Sequence, residues 1–180
     1  ETTSVHGVLV DVLGVGILLL GKSGVGKSEC ALDLISRGHR LVADDLVEIR
    51  KKPPGTLLGR ASDLIKYHME IKGLGIINVK EMFGVGAICD EKRVDLVIEL
   101  IDWIEEDYDR LGLEGKSLSF LEVEVPLLRM PVRPGRNMAT IIETAARNHL
   151  LQASGRSSAL ELEGKVKRAI LSQSSEVEED

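Results

Sequence analysis

Read for apolar and polar spacing alone, the chain alternates strands with a few helices. Residues 5–12 alternate and predict a strand, with His6 near its start and Asp11 near its end. Residues 15–20 form an apolar strand after a Gly14–Gly16 turn, so a hairpin is expected. Over 28–36, Cys30, Ala31, Leu34 and Ile35 recur at helical spacing, and Arg37-Gly38 end the helix. Residues 41–50 predict two strands broken at Asp44-Asp45, and Pro53-Pro54-Gly55 a turn. Residues 56–68 are ambiguous, with part of them helical. The run 94–101 predicts a buried strand, 103–109 a charged surface loop and 118–128 one alternating strand. Residues 130–136 predict a Pro/Gly loop. Asn137 then caps a helix with Met138, Ile141, Ile142, Ala145 and His149 on one face. A second helix carries Leu162, Val166, Ala169 and Ile170 in register, and the acidic end, from 172–174 onward, is expected to be disordered.

Between the strand 15–20 and the helix lies Gly21-Lys22-Ser23-Gly24-Val25-Gly26-Lys27-Ser28, which fits G-x-x-x-x-G-K-[ST]. The strand–loop–helix setting is the one this phosphate-binding loop requires. Glycine angles let several N–H groups surround one anion, and the helix start adds its positive end. Lys27 supplies a mobile cation for β- and γ-phosphates, and Ser28 a hydroxyl for Mg²⁺.

Composition narrows the setting. In 180 residues, 43% are apolar and only 3% aromatic, so one domain packs on Val, Ile and Leu and offers little base stacking. The net charge of −6 argues against a nucleic-acid partner. Cys30 and Cys89 are too few for a disulfide framework, which favours a reducing cytoplasm. The longest apolar stretch, 12–20, is too short to span a bilayer, so no membrane partner is expected. The chain begins at Glu1, which suggests a piece of something longer.

Other residues can carry chemistry. Asp44 and Asp45 follow the apolar Leu41-Val42-Ala43 at the end of a strand near the loop, where a nucleotide-binding sheet presents acids. One can hold Mg²⁺, directly or through water, while its neighbour, pointing elsewhere, serves as general base. Glu70, in Met69-Glu70-Ile71-Lys72-Gly73-Leu74-Gly75, can be a second metal ligand, although a solvated strand end is as good a reading of composition alone. His6 and Arg110 read as ordinary surface or core residues by default. Arg129, Arg133 and Arg136 crowd a Pro/Gly loop that can face phosphate or merely connect elements.

These blocks together resemble the catalytic domain of HPr kinase/phosphorylase. The match lies in Val5-His6-Gly7, in 21–29, in 41–45 and in 69–79, with further likeness at 108–112 and 131–137. The resemblance implies an α/β P-loop nucleotide-binding domain over 1–173, with a mixed sheet, a phosphoenolpyruvate carboxykinase-like fold and two C-terminal helices. It also implies an acidic tail over 174–180 and a missing N-terminal family domain. It implies a bifunctional enzyme that phosphorylates a serine of HPr with ATP or pyrophosphate, and removes it with inorganic phosphate. Mapped on matching positions, Gly21, Lys22, Ser23, Gly24, Val25, Gly26, Lys27 and Ser28 bind nucleotide phosphates. Ser28 and Glu70 are implied Mg²⁺ ligands, with Asp44 beside them. Asp45 is the implied acid/base, with His6, Lys27 and Arg110 as partners. Pro131, Val132, Arg133, Pro134, Gly135 and Arg136 form the implied dephosphorylation segment. A hexamer under metabolite control is the implied assembly. Lys22 and Lys72 depart from the family's usual Asp and Arg. A phosphotransferase acting on a small molecule and a nucleotide-sensing module without transfer activity are the alternatives.

Overall fold

The computed structural model describes residues 1–102, 116–155 and 158–177. Its elements are β1 (Thr2–His6), β2 (Val8–Val12), β3 (Val15–Gly21), α1 (Lys27–Ser36), β4 (Arg40–Ala43), β5 (Leu46–Lys52) and β6 (Thr56–Arg60). They continue with β7 (His68–Ile71), β8 (Gly75–Asn78), α2 (Val79–Phe83), β9 (Lys92–Arg93), β10 (Leu96–Asp102), β11 (Ser117–Phe120), β12 (Val123–Val132), α3 (Met138–Ala153) and α4 (Ser158–Val177).

A six-stranded mixed sheet has the order β11-β12-β10-β3-β2-β4, and a four-stranded sheet the order β1-β5-β6-β9. Strands β2, β3 and β10 are apolar on both faces because both faces are covered. On one face Ile17, Leu19, Ile98 and Leu100 pack with α1 and the first part of α3. On the other, Leu9, Leu18 and Val97 meet Val47, Ile49 and Leu57 of the smaller sheet. The hairpin β7–β8 stands apart as a two-stranded sheet that buries Met69, Ile71 and Ile77 in the first core.

Several elements differ from the pattern reading. Residues 5–12 make two strands in different sheets, parted at Gly7. A Cβ there would lie 2.7 Å from the Leu19 carbonyl oxygen, so only glycine permits the crossing. Residues 118–128 are a hairpin, not one strand: Leu121 (φ 49) and Glu122 (φ 65) form a turn with left-handed angles but none of the usual Gly or Asn. Residues 56–60 are strand, because Leu57 is buried and β6 bridges β5 and β9. The expected loop 130–136 starts later, since β12 runs through Val132. Pro131 is tolerated there because, among the described residues, β11 pairs no further than Pro126 and leaves that side of β12 without a ladder. Helix α4 runs to Val177.

Helix α3 begins as expected: Asn137 Oδ1 accepts the Thr140 N–H at 3.1 Å, and Met138, Ile142 and Ala145 are buried. The chain forms two compact units, Glu1–Ala146 and Arg147–Asp180, where a single domain over 1–173 was expected. In the second unit, Leu162, Val166 and Ile170 of α4 are all exposed. Among the described residues no helix is long and apolar enough to cross a membrane. The loop expected over 103–109 lies outside the described residues.

Among the described glycines, Gly16 leaves the least room for a side chain. Its N–H donates to Asp95 Oδ2 at 2.9 Å, and its carbonyl accepts the Asp95 N–H at 2.8 Å. A Cβ at Gly16 would fall 1.7 Å from the Arg93 carbonyl oxygen. Gly16→Ala should therefore cost more than about 4 kcal/mol, the range reached by severe overpacking. Gly55→Ala, with nothing within 4 Å of the new carbon, should be near neutral. Urea unfolding of both variants checks this, and equal midpoints would contradict the packing.

Candidate functional site

Strand direction collects the candidate residues at one edge. Strands β3, β10 and β12 pair in parallel, with Leu100 opposite Gly21 and Asp102 opposite Val132. Strand β2 is antiparallel to both β3 and β4, so β4 runs with β3. The carboxyl ends of four strands thus share one edge, together with the start of β2. Gly21, Asp44, Asp102, the 133–137 loop and His6-Gly7 all lie there. In α/β sheets this edge is where ligands bind.

The glycine-rich loop turns from β3 into α1. Gly21, Gly24 and Gly26 have φ of 150°, 85° and 109°. A Cβ on Gly21 would lie 2.7 Å from the Leu100 carbonyl oxygen. Gly26 starts α1 with no side-chain cap, which leaves the first-turn N–H groups facing the loop. Lys27 reaches back over it, donating to the carbonyls of Gly21 at 2.7 Å and Lys22 at 3.1 Å. An ammonium has three donors, so it ties the loop and still has capacity for an anion.

Behind the loop sits Asp44, only 6% exposed. Ser28 Oγ donates to its Oδ1 at 2.8 Å, and the Glu70 N–H donates to its Oδ2 at 3.1 Å. One carboxylate thereby joins the first turn of α1 to the β7–β8 hairpin. Burial pushes the Asp44 carboxyl above its usual range, and the bonds from Ser28 and Glu70 only partly offset this. Among the described residues no group of three or more His, Cys, Asp or Glu is placed to hold a metal. The donor set here is one hydroxyl plus carboxylates. That suits Mg²⁺, which takes few protein ligands and completes its shell with substrate phosphates and water.

Asp45 faces the other way. Its φ is 68°, and the Leu46 N–H donates to the Asp44 carbonyl at 2.8 Å across it. This is a γ-turn with a left-handed centre, a rare and strained conformation. The Gly7 N–H holds the Asp45 carbonyl at 3.0 Å. The turn sends the two neighbouring carboxylates apart: Asp44 is buried, whereas the Asp45 side chain is 78% exposed. His6 Nδ1 stands 3.8 Å from Asp45 Oδ1.

The arginine loop is ordered by its own backbone. Arg136 N–H donates to the Arg133 carbonyl and its Nη1 to the Pro131 carbonyl, both at 3.2 Å. Arg129 lies earlier on β12 and faces Glu99 at 3.8 Å. Arg110 lies outside the described residues. Asp102, which closes the apolar run 94–101, ends β10 opposite Val132 at the same edge.

The arrangement is a mixed α/β domain that gathers a glycine-rich turn, a pair of aspartates and an arginine loop at one sheet edge. A family model described as HPr Serine kinase C-terminal domain matches residues 1–166. The HPr kinase/phosphorylase of Geobacter sulfurreducens is 60% identical over 166 residues, covering 92% of this chain and 52% of that protein. That of Geobacillus thermodenitrificans is 56% identical over 170 residues, covering 94% and 55%. The solved structure of the Hpr(Ser) kinase/phosphatase from Coxiella burnetii matches with a TM-score of 0.80 at 31% identity, covering 89% of this chain and 98% of that one. The chain belongs to the HPr serine kinase C-terminal domain family. It spans about half the length of the curated relatives it matches.

The raised Asp44 carboxyl has a consequence for stability. The folded chain holds this proton more tightly than the unfolded chain does. The associated stability is fully present below the ordinary aspartate range and is lost as pH rises through the raised folded value. Asn at 44 does not titrate. Asp44→Asn should therefore gain stability relative to the parent chain as pH rises from about 4 to 7. Urea unfolding across that range measures the gap. A stability of the variant minus that of the parent that stays constant or falls with rising pH contradicts a desolvated carboxylate.

Proposed function

We propose that this chain is the catalytic portion of a bifunctional HPr serine kinase/phosphorylase. It transfers phosphate from ATP or pyrophosphate to a serine of HPr, and returns it to inorganic phosphate. The observation that carries this reading is the divided aspartate pair. Asp44 is spent on Ser28 and Glu70, while Asp45 stands exposed at the same edge, where a hydroxyl can reach it.

In the forward direction the loop 21–28 binds the phosphates of the donor. Backbone N–H groups at the start of α1 and the Lys27 ammonium take up their charge. Ser28 and Glu70 would hold Mg²⁺, with Asp44 fixing both from behind. The ion neutralises charge on the phosphates when bound. The Asp45 carboxylate accepts the seryl proton as the hydroxyl oxygen bonds to the terminal phosphorus and the donor leaves. His6 orients Asp45. In reverse, a phosphate oxygen attacks the phosphoserine phosphorus, the bond to the seryl oxygen breaks, and protonated Asp45 returns the proton to that oxygen. Positioning does the rest. Arg133 and Arg136 hold the phosphoserine and the attacking phosphate, and Arg110 joins the site. The enzyme works in the cytoplasm as a homo-oligomer, a hexamer, and contributes to carbon catabolite repression.

The test is direct. The chain is mixed with HPr, Mg²⁺ and either ATP or pyrophosphate, and phosphoserine is followed by ³¹P NMR. Added phosphate should then regenerate pyrophosphate. No seryl phosphate with either donor overturns the proposal. Lys27→Ala should abolish transfer in a folded protein, and near-normal activity would remove the loop from the mechanism. Asp45→Asn should slow both directions by about 10²–10⁴-fold while donor affinity holds. Weak donor binding with normal saturated rates would exchange the roles of Asp44 and Asp45. Arg136→Ala should slow dephosphorylation more than phosphorylation, measured with saturating HPr. Equal slowing would assign the loop to binding HPr in general.

A further inference from the structure

Among the described residues, the hydrogen bond that ties Glu70 to the site is its N–H on Asp44. Apolar packing of Met69, Ile71 and Ile77 holds the hairpin to the core, but one directed bond does not by itself fix where Glu70 points. A second attachment lies three residues earlier, at Tyr67. This residue has φ 71°, a left-handed angle that is a genuine outlier for a bulky side chain. Such strain persists only where surrounding contacts hold it.

The contacts are specific. The Tyr67 carbonyl accepts the Val79 N–H at 2.8 Å, closing the open end of the β7–β8 hairpin. The Tyr67 hydroxyl donates to Asp90 Oδ1 at 2.8 Å. Lys66 Nζ reaches the same oxygen at 3.2 Å. The ammonium groups of Lys66 and Lys80 each lie 5.0 Å from the centre of the Tyr67 ring, within range of a cation–π attraction. The ring itself packs against the core that contains Met69 and Val79.

Asp90 is not a random anchor. The preceding residues are bonded to β4: Leu41 and Ile88 form a parallel bridge, and the Cys89 N–H donates to the Leu41 carbonyl at 2.8 Å. Strand β4 ends at Ala43, next to Asp44. A closed circuit results, from β4 through Ile88 and Cys89 to Asp90, then to Tyr67, along β7 to Glu70, and back through Asp44 to β4. The two attachments together fix the direction of the hairpin, which neither does alone.

We infer that Tyr67 is a positioning residue: its strained backbone and its bond to Asp90 latch the β7–β8 hairpin so that Glu70 is held beside Ser28. This rests on the reading of Glu70 as a metal ligand. Among the described residues, the polar partners of Tyr67 and Asp90 are Val79, Lys66, Lys80 and each other, none of them in the loop 21–28 or at Asp45. Loss of the latch is therefore felt as weakened use of Mg²⁺, not as a lost chemical step. Direct partners of a metal ligand are worth about 10–100-fold in metal affinity. Tyr67 acts through the backbone, one step further away, and about 3–10-fold is expected.

The test uses Tyr67→Phe, Asp90→Ala, the pair together, and Glu70→Gln as reference. Two quantities are read: the Mg²⁺ concentration for half-maximal transfer at saturating ATP and HPr, and amide hydrogen exchange over residues 68–78. Each single latch variant should raise the Mg²⁺ requirement about 3–10-fold and leave the rate at saturating Mg²⁺ near that of the parent. Exchange should quicken in the hairpin and not in α1. The double variant should be no worse than the Asp90 variant alone, in which the Tyr67 hydroxyl has already lost its acceptor and Lys66 its carboxylate. If exchange quickens but the Mg²⁺ requirement is unchanged while Glu70→Gln shifts it, Tyr67 is structural only and the inference falls. If neither quantity moves, the latch itself is refuted. If Glu70→Gln leaves the Mg²⁺ requirement unchanged, the metal role of Glu70 fails, and the role of Tyr67 toward it fails for that separate reason.

Discussion

The carboxylate of Asp44 is the contact on which the site depends. A buried acid that is not satisfied is costly, and this one is satisfied from two sides. Each bond reaches a different element. Ser28 belongs to the helix after the glycine-rich loop, and Glu70 to a hairpin more than forty residues further along. Without that carboxylate, α1 and the hairpin would still share a core, since Cys30, Leu34, Met69 and Ile77 pack together. Apolar packing alone does not fix which side chains face one another. The directed bonds do.

The sheet makes this contact possible. Strand β4 must run with β3 for its final acid to arrive at the loop, and it does so because β2 lies between them, antiparallel to both. Gly7 is the point where the chain passes from the smaller sheet to this one. Its N–H holds the Asp45 carbonyl, so the same crossing that builds the double-sheet core also fixes the strained turn at Asp45. The geometry of the candidate site and the folding topology are one problem at this edge, which is why a buried and an exposed carboxylate can be neighbours in sequence.

Much of this was legible beforehand. The loop 21–28, the hairpin before it, the helix after it and the break at Asp44-Asp45 each follow from spacing and residue type. The helix capped by Asn137 does as well. What was hidden falls into two kinds. Strand ends set by close backbone approach left no local mark: Gly7 reads as one more residue of an alternating run, and Leu121-Glu122 turns without turn residues. The second kind is tertiary. Composition left Glu70 undecided between a site and a solvated strand end, and only family resemblance favoured it. That its backbone meets Asp44, or that Tyr67 meets Asp90, depends on β4 lying beside residues 88–89, which no period reveals.

The most direct test of the central claim is a crystal structure of the chain with Mg²⁺ and a non-hydrolysable ATP analogue. The account predicts phosphates in the loop 21–28 and the metal bound by Ser28 Oγ and the Glu70 carboxylate. It also predicts that Asp44 keeps the Glu70 N–H. Glu70 turned away from the phosphates, with Asp44 released from that N–H to bind the metal alone, would contradict it.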